Sequence, residues 1–196
     1  PELIGSFGRL AKLCEHIHLP LQSGSNRVLK RMNRGYAREE YLEKVNQLRK
    51  ACPQINITSD MIVGFPGEEE ADFQSTLDVV EQVQFDDLFS FNYSDRPYTR
   101  AAEFQDKVPE EVSRRRLMEL QARQRTITLR RNKIWEGRQV EALVEGCSKE
   151  NTEEKMGRTR TNRIVNFPGT DDPIGSLVQV RIVKAFAHSL RGERIV

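Results

Sequence analysis

Three cysteines occur in the 196 residues, Cys14, Cys52 and Cys147. They lie too far apart for a compact CxxC or CxxxCxxC metal or cluster site. Their odd, low number points to reduced thiols and a cytoplasmic protein, not to a disulfide scaffold. His16, His18 and His188 do not share metal-ligand spacing either. No apolar run approaches the roughly 20 residues of a membrane span. The start of the chain lacks the basic-then-apolar layout of a signal segment. GxSxG, P-loop, HExxH and dinucleotide glycine motifs are missing, as are internal repeats and low-complexity segments. The first residue is Pro1, not Met, which suggests a piece of a longer protein.

The composition suits a folded chain of one large or two small domains, with 37% hydrophobic and 31% charged residues. The net charge of +2 conceals an asymmetry: residues 1–109 hold 13 Lys and Arg against 17 Asp and Glu, and residues 110–196 hold 18 against 12. A mildly acidic first part followed by a basic second part suggests a polyanion partner for the second. An ordinary solvated surface gives the same count.

Strand-then-helix units run through residues 1–134. A strand is expected over Glu15–Leu21, a short helix over Asn26–Met32, and a longer helix over Arg38–Cys52 with Tyr41, Val45, Leu48 and Cys52 on one face. Pro53 ends it. A second strand, Ile55–Val63, leads through Pro66-Gly67 into a helix burying Phe73, Leu77, Val80 and Val83. A third strand, Asp87–Tyr93, is followed by a loop and a helix from Val108-Pro109 to about Trp135. This order implies an α/β fold with a parallel sheet and outer helices. From Gly137 the pattern becomes short alternating strands, Val140–Val144, Ile164–Phe167 and Leu177–Val183, punctuated by glycines. That predicts a small all-β barrel or sandwich.

Four clusters carry candidate chemistry. His16 to Ser25 is a strand that ends in Gln22-Ser23-Gly24-Ser25. Ligands of parallel sheets sit beyond strand carboxyl ends, so Gln22 and Ser23 are candidates to contact a ribose or a small acid. Capping of the next helix is the other reading. Ser59 to Glu68 puts Asp60 in the apolar run Met61-Ile62-Val63 and ends in a glycine turn. Such a turn lets backbone approach a flat ligand closely, or is simply tight. Phe89 to Thr99 ends a strand in aromatics that can pack on a base or in a core. In Gly157 to Phe167, Arg158, Arg160 and Arg163 alternate with small polar residues. Alternation would put Arg158 and Arg160 on one side of an extended segment, suited to RNA backbone or to a protected edge.

Taken in order, these stretches resemble the radical-SAM methylthiotransferases, most closely the MiaB-type branch that acts on tRNA. The resemblance rests on His18-Leu-Pro-Leu-Gln-Ser-Gly-Ser25, Val28-Leu-Lys-Arg-Met-Asn-Arg-Gly-Tyr36 and Asp60-Met-Ile-Val-Gly-Phe-Pro-Gly-Glu68. It continues through Phe89-Ser-Phe-Asn-Tyr-Ser94, Gly157-Arg-Thr159, Asn162-Arg-Ile-Val-Asn-Phe167 and Ser189-Leu-Arg-Gly-Glu193. It implies the C-terminal half of a parallel (β/α) partial TIM barrel over residues 1–134. A TRAM domain, a small OB-like RNA-binding β-barrel, would follow over residues 135–196.

By that resemblance the full-length protein would be an enzyme. It would replace the C2 hydrogen of a modified adenosine just 3′ of the anticodon with a methylthio group, using S-adenosyl-L-methionine and two [4Fe–4S] clusters. The cluster cysteines of the family are absent from this chain. It is therefore expected to hold no metal and no catalytic residue of its own, to be inactive alone, and to contact the missing N-terminal half. The cofactor-binding residues implied are Gln22 and Ser23 at the ribose or amino-acid end, Asp60, Met61, Ile62 and Val63 along the adenine, and Phe91 and Tyr93 on the floor. The tRNA anticodon stem-loop would be held by Arg158, Arg160, Asn162 and Arg163, with no membrane partner. Other branches, acting on threonylcarbamoyladenosine tRNA or a ribosomal protein, and an RNA-binding module without chemistry, compete with this reading. One departure is local: Arg96-Pro-Tyr-Thr-Arg-Ala101 stands where the family usually reads Arg-Pro-Gly-Thr-Pro-Ala.

Overall fold

The computed structural model describes residues 2–148, 151, 153–169 and 171–195. They form two compact units: one of residues 17–50 and 57–127, the other of residues 1–16, 51–56 and 128–196.

The first unit is built on a three-stranded sheet in the order β1 (His16–His18), β2 (Asn56–Val63), β3 (Asp87–Asn92). β2 and β3 are parallel, with Asp60 opposite Phe89 and Ile62 opposite Phe91. The first strand is shorter than its alternation predicts. Pro20 has no N–H to donate to the ladder, so β1 stops; Leu19 N–H donates to Thr58 O at 2.8 Å, and bridge pairing with β2 resumes from Gln22 to Met61. There Gln22 N–H donates to Asp60 O at 2.8 Å and Ile62 N–H to Gln22 O at 2.9 Å.

Helix α1 is Glu2–Ser6, and helices α2 (Asn26–Arg31), α3 (Arg38–Ala51) and α4 (Glu70–Val83) follow the periodicity. α3 buries Tyr41, Val45 and Leu48, and α4 buries Phe73, Leu77, Val80 and Val83. Ser25 caps α2, and its hydroxyl donates to Asp72 at 2.6 Å. Glu69 and Asp72 form a capping box on α4. Gly24 must be glycine: a Cβ there would lie 2.3 Å from Ser75 O and 2.5 Å from Thr76 Cα. The last helix, α5, is Glu110–Lys133.

The second unit contains a closed barrel of β4 (Gln139–Cys147), β5 (Glu154–Thr159), β6 (Ile164–Pro168), β7 (Leu177–Ala185) and β8 (Leu190–Arg194), in the order β4-β5-β6-β8-β7. β7 pairs back on β4, which closes the ring. β5 and β8 were not expected, because Glu154-Lys-Met-Gly-Arg-Thr159 and Leu190-Arg-Gly-Glu-Arg194 lack period-two apolar patterning. They pair because a barrel supplies a neighbour for every edge. The core gathers Trp135, Val140, Ala142, Val144, Val165, Phe167, Val178, Val180, Ile182, Ala185 and Leu190. Gly192 lets β8 approach β7: a Cβ would come within 2.2 Å of Val180 Cγ1.

The α/β sheet followed by a small β-barrel agrees with the expected fold class.

Candidate functional site

Strand alternation sorts the predicted cofactor residues onto two faces. Met61 and Val63 are fully buried, whereas Asp60 and Ile62 are part-exposed and Phe89 and Phe91 are half-exposed. The expectation that Met61, Ile62 and Val63 form one wall is therefore corrected. Consecutive strand residues cannot share a face, so Met61 and Val63 pack in the core and only Asp60 and Ile62 stand on the open side with Phe91.

Two further residues of the open face, His18 and Phe89, stand outside the cofactor-binding set that the resemblance implies. His18 Nδ1 lies 2.9 Å from Thr58 Oγ1 and His18 Nε2 lies 3.4 Å from Asp60 Oδ2. Phe89 meets the His18 ring edge-on at 5.9 Å between centroids. The signal was available in sequence: His18, Asp60, Ile62, Phe89 and Phe91 each sit at alternate positions of adjacent parallel strands. The open face thus combines an imidazole, a carboxylate, an aliphatic side chain and two aromatic rings. That set can pack a flat heterocycle and hydrogen-bond its polar edge.

The remaining predicted residues frame this face or lie below it. Ser23 is fully buried, with Ser25 N–H donating to its hydroxyl at 3.2 Å. It shapes the turn after β1 and does not present a hydroxyl to solvent, so the surface contact expected of it is corrected. Gln22, also buried, takes a positive φ of 80° at the bridge to Met61. Tyr93 packs edge-on against Phe65 at 5.0 Å, and Lys107 Nζ sits 5.3 Å from its ring centroid. Burial and the nearby Asp95 push the Tyr93 hydroxyl above its ordinary value.

The turn after β2 is locked from beneath. Gly64 has φ +71°, and a Cβ on it would lie 2.0 Å from Ser113 Oγ. Its N–H donates to Glu68 Oε1 at 3.0 Å, and Arg116 Nη1 donates to the same oxygen at 2.7 Å. Burial pushes the Glu68 carboxyl up, against the opposing pull of Gly64 N–H and Arg116.

In the barrel unit the arginine cluster has a different geometry from the one alternation predicts. β5 ends at Thr159, so Arg160 and Thr161 lie in a turn and Arg160 does not continue the row of Arg158. Arg158 Nε donates to Glu145 at 2.9 Å, and its Nη1 donates to Asn162 Oδ1 at 3.2 Å. Arg160 binds Glu15 at 3.0 Å and the carbonyls of Ala11 and Leu13, each at 3.0 Å. Asn162 takes φ 60° and lies 3.4 Å from His16 Nε2. Arg163 is buried, donates to Asn132 Oδ1 at 2.9 Å and stacks over Trp135. Arg163 is thus a support of the barrel, which corrects its expected place on an exposed basic face. Exposed cations that the sequence reading missed lie on β7: Arg181 and Lys184, the latter 5.3 Å from the Phe186 ring centroid.

Two family models match this arrangement: the radical SAM superfamily over residues 2–80 and the TRAM domain over residues 135–195. The chain carries a radical SAM segment followed by a TRAM domain. A relative from Syntrophus aciditrophicus, named tRNA-2-methylthio-N(6)-dimethylallyladenosine synthase, is 53% identical over 98% of this chain and 42% of its own length. One of the same name from Moorella thermoacetica is 49% identical over 100% of this chain and 44% of its own length. The chain therefore spans less than half the length of the curated relatives it matches.

Two groups that this superfamily implies can be tested against the residues present. Iron–sulfur clusters do not fit: among the described residues no three His, Cys, Asp or Glu side chains are placed to hold a metal. Cys52 is buried, while Cys14 and Cys147 are exposed. The adenosyl part of S-adenosyl-L-methionine does fit the open face, where Phe89 and Phe91 are 50% and 54% exposed beside the Asp60 carboxylate.

Proposed function

We propose that this chain is part of a tRNA-2-methylthio-N6-dimethylallyladenosine synthase. The whole protein would exchange the C2 hydrogen of the modified adenosine 3′ of the anticodon for a methylthio group. The observation that carries this is the ordered pairing of a radical SAM segment with a TRAM domain, alongside relatives of that name matched over nearly the entire chain. S-adenosyl-L-methionine, when bound, supplies the methyl group and the hydrogen-abstracting chemistry. The chain's own residues would seat it: Ile62 and Phe91 against the adenine, Asp60 on a polar edge, and His18 holding Asp60 in place. Cluster ligands would come from chain outside these residues, so the isolated chain is expected to be inactive.

Residues 1–134 would serve as the barrel part and residues 135–196 as the RNA-binding part. The partner would be the anticodon stem-loop of tRNA in the cytoplasm, and the rest of the protein would cover the open sheet face. No helix among the described residues is long and apolar enough to cross a membrane. With Arg158 and Arg160 already engaged by Glu145 and Glu15, Arg181 and Lys184 on β7 are the better-placed phosphate contacts.

The test is nucleoside mass spectrometry of tRNA from cells with and without the gene. Loss of the 2-methylthio group on deletion is expected, and an unchanged nucleoside profile overturns the reading. In parallel, calorimetric titration of the whole protein with S-adenosyl-L-methionine should show binding that Ile62→Asp and Phe91→Ala each weaken.

A further inference from the structure

The segment after β3 holds an aromatic side chain in a conformation that its own chemistry does not favour. Tyr98 has φ 66° and is fully exposed, at 107%. Residues other than glycine, asparagine and aspartate rarely adopt that backbone region. The turn is nevertheless fastened. Thr99 donates twice to Arg96 O, from its N–H at 3.3 Å and its hydroxyl at 2.8 Å. Lys107 Nζ donates to Ala101 O at 3.0 Å and Ala102 O at 3.1 Å, and pairs with Asp95. A short 3-10 turn, Arg100–Glu103, follows directly. The phenol ring thus projects from a braced support.

Arg96 and Arg100 flank Tyr98, and both are exposed. Neither guanidinium has a partner among the described residues, and the Tyr98 ring has no aromatic or cation–π contact there. The other charges of the segment are mostly consumed: Asp95 by Lys107 and Asp106 by Arg31, leaving Glu103 as the one uncompensated carboxylate. An apolar protein partner would call for apolar neighbours around the ring, and the flanking side chains are instead free cations. An exposed aromatic face flanked by two unpaired positive charges is the layout that single-stranded nucleic acid uses, with a base on the ring and phosphates on the arginines. Tyr98 and Arg100 are also the two positions at which this segment departs from Arg-Pro-Gly-Thr-Pro-Ala.

We propose that Tyr98, Arg96 and Arg100 form a second RNA contact, separate from the TRAM barrel, in which Tyr98 stacks on an unpaired base and the two arginines hold its flanking phosphates. This rests on the reading of the protein as one that acts on tRNA. The segment leaves the carboxyl end of β3, the same end of the sheet at which the turns after β1 and β2 lie. An RNA loop presented there would be gripped beside the open face.

The experiment titrates the full chain with an anticodon stem-loop RNA carrying 2-aminopurine in its loop, reading affinity by anisotropy and stacking by quenching. Tyr98→Gly should weaken binding about fivefold to a hundredfold and remove the quench, the range found for loss of one base–aromatic stack. Its melting temperature should not fall, because glycine accepts positive φ without strain. Tyr98→Phe should bind within about twofold of the native chain, since stacking uses the ring face. Arg100→Ala should lower the salt slope by about 0.7–1. Native-like affinity and quenching in Tyr98→Gly would overturn the proposal while leaving the tRNA reading intact. No binding of this RNA by the native chain would overturn both.

Discussion

In the barrel unit each strand has a neighbour on both sides, and the core from Val140 to Leu190 is sealed. In the sheet unit β1 and β3 each pair on one side only among the described residues, and Phe89 and Phe91 stand half-exposed on an open face. The same apolar residue types do opposite work in the two places. Phe167 in the barrel is a packing residue at 0% exposure, whereas Phe91 in the sheet at 54% is available to a ligand or a covering segment. Their arginines differ in parallel: Arg163 is buried as a strut, while Arg96 and Arg100 are exposed. Closure, not composition, separates structure from function here.

The largest effect expected of that difference comes from the two phenylalanines. Phe167→Ala should cost about 3–5 kcal/mol by urea unfolding, as a fully buried aromatic truncation does. Phe91→Ala should change stability by less than about 0.5 kcal/mol while weakening S-adenosyl-L-methionine binding. Equal losses in the two variants would break the contrast.

Next in size is the buried pair beneath the Gly64 turn. Arg116→Ala leaves the Glu68 carboxylate buried without its cation, and should destabilise the sheet unit by about 3 kcal/mol. The loss should shrink as pH falls through the raised folded value of Glu68, above the ordinary carboxylate range, where the carboxyl takes up a proton and the uncompensated charge disappears. Unfolding of the variant and the native chain across that range tests both the size and the sign.

A pair of arginine changes in the barrel should give smaller, opposite outcomes. Arg163→Ala removes a buried charged donor from Asn132 and should cost about 1.5–3 kcal/mol of stability, with the salt slope of RNA binding unaltered. Arg181→Ala should leave stability within about 0.5 kcal/mol and reduce that slope by about 1. Titrations with tRNA at several salt concentrations, alongside thermal melts, separate a strut from a phosphate contact.

The smallest effect concerns Asp72 at the head of α4. Burial pushes its carboxyl up, but hydrogen bonds from Arg27, Ser25 and Glu69 N–H outweigh that and hold it below the usual carboxylate range. The folded state therefore gains stability from ionised Asp72 above the unfolded value, and loses it as pH falls through the lower folded one. Asp72→Asn should be less stable than the native chain by about 1 kcal/mol at neutral pH. The two should begin to converge only below pH ~4, the unfolded value, and meet as pH falls through the lower folded one. A gap that persists in acid would mean that the amide's shape, not the lost charge, is responsible.

Much was decided by local chemistry alone. The faces of α3 and α4, the stop at Pro53, the glycine turn after β2 and the shift to short strands after Gly137 all follow from spacing and from the backbone limits of proline and glycine. The ordered motifs also pointed to the radical SAM and TRAM segments that the two family models match. What local pattern could not supply was which side of a strand faces outward and which charges are already spent. Met61, Ile62 and Val63 are three consecutive apolar residues, and only pairing with β3 shows that Ile62 alone of the three joins Phe91 on the open face. Arg158, Arg160 and Arg163 look alike in sequence. Their partners Glu145, Glu15 and Asn132 stand 13 to 145 residues away, so their fates were set by the tertiary fold. β5 and β8 likewise form without an apolar rhythm, because barrel closure offers their backbone groups hydrogen-bond partners that no neighbouring residue in the chain provides.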